Sequence, residues 1–151
     1  MTDSVESFSA MLRMALGDRL APDAATFLDM VAENGVMEFP YSPPGLPTRL
    51  VGKAAIARHL ESLGDMIAFD RMGEPTIHAT TDPDVTIVEF EGFGSGVATG
   101  ESYDQRYISV IRTDAGRIMH YRDYWNPLVV LRALRGSAVV DALVGGASDH
   151  G

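Results

Sequence analysis

The 151-residue sequence contains no cysteine, few basic residues and no long apolar run, and each absence excludes a class of protein. Without cysteine the chain can form neither a disulfide nor a thiolate metal site. Its 21 acidic and 12 basic residues leave a net charge of −9, which argues against binding to nucleic acid or to anionic lipid. No apolar run approaches the ~20 residues that a membrane-spanning helix requires.

Signals for metal binding and for export are also missing. The four histidines show no HExxH motif and no other metal-ligand spacing, and the glycine-rich residues 94–100 lack the GxGxxG pattern. We therefore expect neither a metal nor a cofactor. The first residues are acidic, unlike the basic start of a signal peptide, so the simplest expectation is a cytoplasmic protein.

The hydrophobic pattern predicts helices in the first part of the chain. Apolar residues at helical spacing predict helices over residues 7–20 and 52–63, and a short helix after Pro22 that ends near Gly35. Residues 40–47 contain four prolines, which fix the backbone and predict a stiff loop. The loop joins a short predicted strand, at residues 36–39, to the helix.

The pattern after residue 66 is that of strands. Alternation and turn residues predict strands over residues 67–79, with a break near 73–75, and over residues 85–93, 103–112 and 117–125. A short helix is expected over residues 127–134. This order predicts an α+β fold, in which a curved antiparallel sheet wraps around the N-terminal helices and leaves a pocket between them. We expect one domain over residues 1–151, with residues 145–151 forming a disordered tail.

The predicted strand at residues 117–125 carries the main candidate for chemistry. One face presents Met119, Tyr121, Asp123 and Trp125, and the other presents Ile118, His120, Arg122 and Tyr124. A carboxylate among aromatic side chains is costly to ionise, and burial raises its pKa. Asp123 is thus predicted to act as a general acid or base. The alternative is a structural aspartate held by backbone N–H groups or by an arginine of a neighbouring strand.

Further candidates come from the faces that the pattern assigns to each element. His59 lies on the apolar stripe of the 52–63 helix, where it is either a proton-transfer partner for Asp123 or a core histidine. Tyr103, Gln105 and Tyr107 share one strand face, which suits substrate positioning or the packing of a core. Tyr121 and Trp125 are predicted to contact the substrate beside Asp123.

Two remaining pairs of residues are left open by the pattern. Glu89 and Glu91 share a strand face. If that face lines the pocket, Glu91 would assist Asp123 and Glu89 would contact the substrate. If it is the outer face, both are ordinary solvated charges. Tyr41 and Leu46 belong to the proline-rich loop. They are predicted to contact a ligand at the pocket mouth, and the alternative is a plain connector.

Particular stretches resemble a known superfamily. The order of elements, residues 52–56 opening the third helix, and residues 116–118 leading into residues 121–125 resemble the nuclear transport factor 2-like superfamily. That group includes ketosteroid isomerases, SnoaL-like polyketide cyclases and limonene epoxide hydrolases. Residues 88–92 and 104–108, and above all 122–127 running on to 131–134, look closer still to the phenazine-biosynthesis A/B proteins.

The resemblance implies roles for three carboxylates. In the phenazine proteins a glutamate at the position of Asp123 acts as an acid toward a bound small molecule. In the limonene epoxide hydrolases two aspartates and an arginine activate water. Asp123 matches one of those aspartates, Glu91 falls where the other is expected, and Glu89 replaces the arginine with an anion. The resemblance also implies a homodimer, and Ile108 and Val110 on a charge-bearing sheet face are compatible with it.

The sequence thus predicts a cofactor-free enzyme that uses general acid–base chemistry on a mainly apolar small molecule. The expected reaction is an isomerisation, cyclisation, condensation or dehydration in secondary metabolism. One alternative is an epoxide hydrolase or epoxide-opening cyclase. Another is a non-catalytic, ligand-binding dimeric module, which predicts a filled interior and an Asp123 paired with a fixed cation.

Overall fold

A computed structural model of the chain describes residues 2–148, in which helices come first and most of a seven-stranded sheet follows. The helices are α1 (Thr2–Leu16), α2 (Phe27–Met30), α3 (Lys53–Met66), α4 (Pro127–Arg135) and α5 (Ser137–Ser148). The strands are β1 (Val31–Glu38), β2 (Arg49–Val51), β3 (Ile67–Met72), β4 (Thr76–Ala79), β5 (Val85–Gly96), β6 (Ser102–Asp114) and β7 (Arg117–Trp125). The predicted α+β class, with N-terminal helices and a curved sheet, is confirmed, and the sheet is unclosed.

The sheet is mixed rather than purely antiparallel, which corrects one part of the prediction. Its strands run in the order β2-β1-β7-β6-β5-β3, and β4 pairs with β5 beyond this path. Strand β1 lies parallel to β7, with Met37 beside Tyr121, while the other pairs are antiparallel. This pairing joins segments more than 80 residues apart, so local alternation carries no sign of its direction.

The second predicted helix is shorter than the pattern indicated. Helix α2 begins with a capping box formed by Thr26 and Asp29 and ends at Met30. Gly35 is not its terminating residue, because it lies inside β1, in the irregular stretch between Val31 and Val36 where the register with β7 shifts. Strand β2 and helix α5 were not predicted.

The C-terminal helix α5 overlaps the segment that was predicted to form a disordered tail. Helix α5 extends to Ser148 and so includes the first four residues of the segment predicted as disordered, while residues 149–151 lie outside the described residues. Within residues 2–148, no helix combines the length and the apolar character needed to cross a membrane.

A bulge in β7 changes which side chains face the helices. Arg112 pairs with His120 but Thr113 pairs with Ile118, so Met119 has no counterpart in β6. Ile118 therefore joins Tyr121 in the buried core, whereas simple alternation had placed them on opposite faces. Beyond the bulge the alternation holds, and it carries Tyr121 and Asp123 to the inner face of the sheet.

Close packing of β5 against α4 depends on a glycine. A Cβ atom at Gly96 would lie 2.0 Å from the carbonyl oxygen of Ala133 in α4. We expect Gly96→Ala to lower the free energy of unfolding by about 1–3 kcal/mol, because the added methyl group forces the two elements apart. Urea denaturation measures this change.

The matched control for that substitution lies in α3. A Cβ at Gly64 meets no atom within 4 Å, and the residue is inside a helix. Gly64→Ala should therefore raise stability by about 0.5–1 kcal/mol. A Gly96→Ala variant as stable as the native chain would contradict the close contact between β5 and α4.

Candidate active site

The helices and the inner face of the sheet enclose a cavity of about 950 Å³. Its wall is mainly apolar, with Phe39 and Phe90 from the sheet side and Leu63 and Met66 from α3. The titratable side chains that line it are Arg58, His59, Asp70, Tyr103, Tyr107, Tyr121 and Asp123. A cavity of this size and polarity is typical of a small-molecule site.

Asp123 lies on this wall with only 8% of its surface exposed. Burial raises the pKa of its carboxyl group from 3.8 to about 7, and the hydroxyl of Ser109, 2.9 Å from Oδ1, opposes that rise. Among the described residues no lysine, arginine or histidine forms an ion pair with it. Asp123 can therefore exchange a proton near neutral pH.

Ser109 connects Asp123 to Tyr121 across the β6–β7 pair. Its Oγ atom lies 2.9 Å from both the Tyr121 hydroxyl and Asp123 Oδ1, and Ser109 stands directly opposite Asp123 in the sheet. A serine hydroxyl carries one hydrogen, so when Ser109 donates to the carboxylate it accepts from Tyr121. This chain fixes Oδ1 and leaves Oδ2 for a ligand.

Two tyrosines of β6 add hydroxyl donors to the same wall. The hydroxyls of Tyr103 and Tyr107 lie 3.0 Å apart, and the Tyr107 ring stacks on Phe90 at 4.7 Å. Burial raises the pKa of Tyr103 to about 12 and that of Tyr107 well above its ordinary value. Both groups are protonated at neutral pH, and one shared bond uses only one of their two hydrogens.

Comparison with known proteins identifies the family. Residues 9–121 match the SnoaL-like domain. The chain belongs to the SnoaL-like family. An uncharacterised PhzA/B-like protein of Pseudomonas aeruginosa is 41% identical over 125 residues, which cover 83% of this chain and 88% of that one.

Solved structures support the same assignment. A Bacillus subtilis protein provisionally named an isomerase is 39% identical, with a TM-score of 0.72 over 90% of this chain and 95% of that one. A nuclear transport factor 2-like protein of Burkholderia xenovorans, 22% identical, has a TM-score of 0.64 over 86% of this chain and 91% of its own, which shows the shared fold alone. The superfamily resemblance found in the sequence is confirmed.

His59 and Trp125 line the cavity of this SnoaL-like chain. The ring of Phe39 connects them, with its centroid 5.1 Å from that of His59 and 6.2 Å from that of Trp125. Burial lowers the pKa of His59, so the imidazole is neutral at physiological pH and carries one N–H donor and one acceptor. Leu46 also lines the cavity, at the end of the proline-rich loop.

Glu89 and Glu91 do not belong to this site, so their predicted pocket roles are wrong. They lie on the outer face of β5, because the alternating residues Val88 and Phe90 are the ones buried inside. Glu89 contacts His78 at 2.6 Å, and Glu91 lies 3.8 Å from Arg106. The second carboxylate required by the epoxide hypothesis is therefore absent from this position of the cavity.

Gln105 and Tyr41 are also misplaced by the sequence prediction. Gln105 faces inward but does not line the cavity; its side-chain amide pairs with both backbone groups of Asn126, at 2.9 Å each, and anchors the start of α4. Tyr41 is exposed and packs edge-on against Tyr124 on the outer side of the sheet, where it borders a separate depression of about 340 Å³.

Four polar residues of the cavity were not predicted, and one of them is Ser62 of α3. The other three are Ser42, Arg58 and Asp70, which lie in the proline-rich loop, α3 and β3 respectively. A sequence signal exists for Arg58, since Ala55, Arg58 and Ser62 share a helix face at i, i+3 and i+7. That face is polar, so it resembled an ordinary solvated surface.

Proposed function

We propose that this SnoaL-like protein is a cofactor-free enzyme that transfers a proton between Asp123 and a mainly apolar small molecule. The expected reaction is an isomerisation, cyclisation, condensation or dehydration, of the kind found in secondary metabolism. The observation that carries the proposal is one buried carboxyl group, with a pKa raised to about 7, on the wall of a 950 Å³ cavity. The Bacillus subtilis relative named as an isomerase supports the same reaction class.

Asp123 starts the reaction in its protonated form. Its Oδ2 donates the proton to an oxygen of the substrate, and a hydrogen bond from the Tyr103–Tyr107 pair to the same oxygen holds it in position. The resulting carboxylate is stabilised by the Ser109 hydroxyl at Oδ1. Asp123 then removes a proton from a substrate carbon, so the carboxyl group is restored and a double bond has moved or formed.

His59 is a second group for this chemistry. Its neutral imidazole lines the cavity. It can remove the carbon-bound proton in place of Asp123, or donate a hydrogen bond to a second substrate oxygen. Trp125 and Phe39 pack around this side of the cavity and keep it apolar. This surrounding strengthens the hydrogen bonds that form inside it.

Proton exchange provides a direct test that needs no knowledge of the natural substrate. A panel of apolar cyclic ketones and enones is incubated with the protein in deuterated water, and mass spectrometry records deuterium at carbons next to the carbonyl group. We expect catalysed exchange with at least one compound, and its loss in Asp123→Asn. Exchange that is equal in the two proteins would contradict the proposal.

The structure lacks features that each of the two rival functions requires. Epoxide opening by paired carboxylates required Glu91 beside Asp123, and Glu91 lies on the outer face of the sheet. The hypothesis of a non-catalytic module requires a filled interior and an Asp123 paired with a cation. The protein instead has an open cavity, and Asp123 accepts a hydrogen bond from Ser109.

We further propose that two copies associate through the outer face of the sheet. Ile108 is 46% exposed there, next to Tyr41 and Tyr124 in the outer depression. Light scattering is expected to give twice the 16.3 kDa chain mass. Ile108→Glu should give monomers, because burying a carboxylate in such a contact is costly.

The control for the dimer is Met14→Glu. Met14 is 63% exposed on α1, away from the outer sheet face, so this variant should remain dimeric. A monomeric native protein would contradict the association.

A further inference from the structure

The cavity has a polar corner formed by Ser42 and Arg58. Ser42 donates its backbone N–H to the carbonyl oxygen of Phe39 at 3.1 Å, and the Phe39 ring contacts His59, the neighbour of Arg58 in α3. Both Ser42 and Arg58 line the cavity. Phe39 thus joins the loop that carries Ser42 to the segment of α3 that carries Arg58, and the Arg58 side chain is exposed where it borders the cavity.

Neither group has a partner in the described part of the chain. Ser42 Oγ is one of three buried side-chain polar atoms there without a hydrogen bond, and the other two, in Ser9 and Thr86, do not line the cavity. Arg58 makes no ion pair and no side-chain hydrogen bond among these residues, although the chain has an excess of carboxylates. A buried hydroxyl without an acceptor is costly, and a ligand oxygen would remove that cost.

We propose that Ser42 and Arg58 bind a carboxylate group of the substrate, which is therefore an apolar molecule carrying an anionic end. A guanidinium is always charged and presents a planar set of donors that matches a carboxylate. The inference deepens the proposed function, since it assigns a substrate class to the same cavity. The anionic end lies at this corner and the apolar body extends toward Asp123, whose protonated form does not repel it.

One charge opposes this arrangement. Asp70 also lines the cavity, is exposed and forms no ion pair among the described residues. Its carboxylate repels an anion, so Asp70→Asn should tighten the binding of a carboxylate ligand, the opposite of the effect of removing Arg58.

A matched pair of ligands tests the proposal: adamantane carboxylate, which is charged, and adamantane carboxamide, which is neutral and of similar shape. Trp125, the single tryptophan of the chain, lines the cavity, so its fluorescence reports binding of both. At pH 6 the native protein should bind the carboxylate about fivefold more tightly than the amide. Arg58→Gln should weaken carboxylate binding about fivefold and leave amide binding within about twofold.

Three further variants make the test specific. Arg58→Lys keeps the charge but loses the planar donor set, and it should retain only part of the preference. Arg135→Gln removes an exposed charge that does not line the cavity and should change neither affinity. Ser42→Ala should weaken carboxylate binding alone, and an unchanged affinity would remove Ser42 from the site.

Two results would overturn the proposal: equal weakening of both ligands by Arg58→Gln, or the same loss of carboxylate binding in Arg135→Gln. These outcomes are independent of the proposed catalysis. At pH 6 Asp123→Asn exchanges one neutral group for another and should leave the ligand preference intact, whereas it should abolish deuterium exchange. A failure of the carboxylate-binding proposal therefore leaves the proposed proton transfer unaffected, and the reverse also holds.

Discussion

Asp123→Asn is expected to lower the rate of proton exchange by about two to four orders of magnitude, the usual contribution of a general acid–base group. The substitution keeps the shape of the side chain and removes its transferable proton. In the native protein the activity should be highest below pH 7. Above the pKa of about 7 the protonated fraction of Asp123 falls tenfold with each pH unit, and the rate should fall with it.

Two comparisons show whether Asp123 itself causes that pH profile. Ser109→Ala removes the hydrogen bond that lowers the pKa of Asp123, so the decline should move to higher pH. Asp104→Asn removes one carboxylate from the exposed face of β6 and should leave both the rate and its pH profile as they are. A decline near pH 7 that persists in Asp123→Asn would belong to another group and would contradict the assigned role.

The second large effect is on stability. Asp123 has a carboxyl pKa of 3.8 when exposed and about 7 when folded. Below about pH 4 the carboxyl group is neutral in both the folded and the unfolded chain, so its burial does not lower the stability through ionisation. Between pH 4 and pH 7 the unfolded chain releases the proton while the folded chain keeps it, so the native protein loses stability as the pH rises. At about 1.36 kcal/mol for each pKa unit, the loss approaches about 4 kcal/mol.

Asp123→Asn removes this pH-dependent loss. Its free energy of unfolding, relative to that of the native protein, should therefore rise by about 4 kcal/mol between pH 4 and pH 8. Urea denaturation of both proteins across this range measures the difference. A difference that does not change with pH would mean that Asp123 is ionised in the folded protein, and the proposed acid would then be lost as well.

The two effects have the same physical origin. An acid that is buried against apolar and aromatic side chains is costly to ionise, which lowers stability at neutral pH but keeps a proton available for transfer. The buried carboxyl group therefore lowers the stability of the fold at neutral pH, and the same burial supplies the protonated acid that the proposed reaction requires.

Local patterns in the sequence were sufficient to predict the central part of this site. Side chains alternate along a strand, so Tyr121, Asp123 and Trp125 were expected to share a face, and burial among aromatic residues was expected to raise the pKa of Asp123. The apolar stripe of α3 likewise brought His59 to the cavity. These predictions depend on neighbours within a few residues, which a sequence displays directly.

The positions of other side chains depend on contacts between distant parts of the chain. Alternation leaves the direction of a face open, and the pairing of β5 within the sheet turned Glu89 and Glu91 outward. Gln105 faces inward as its strand requires, yet the backbone of Asn126, 21 residues later, occupies its amide. Such partners are fixed by tertiary packing, so no local pattern reveals them.

The sequence by itself thus determined the order of most of the elements, the superfamily resemblance and the choice of Asp123 as the candidate acid, since each depends on local spacing or on motif residues. The tertiary structure alone decided the parallel pairing of β1 with β7, the bulge at Met119 and the polar corner of Ser42 and Arg58. These features arise where segments far apart in the chain come into contact, and the free energy of those contacts overrides what each segment would do alone.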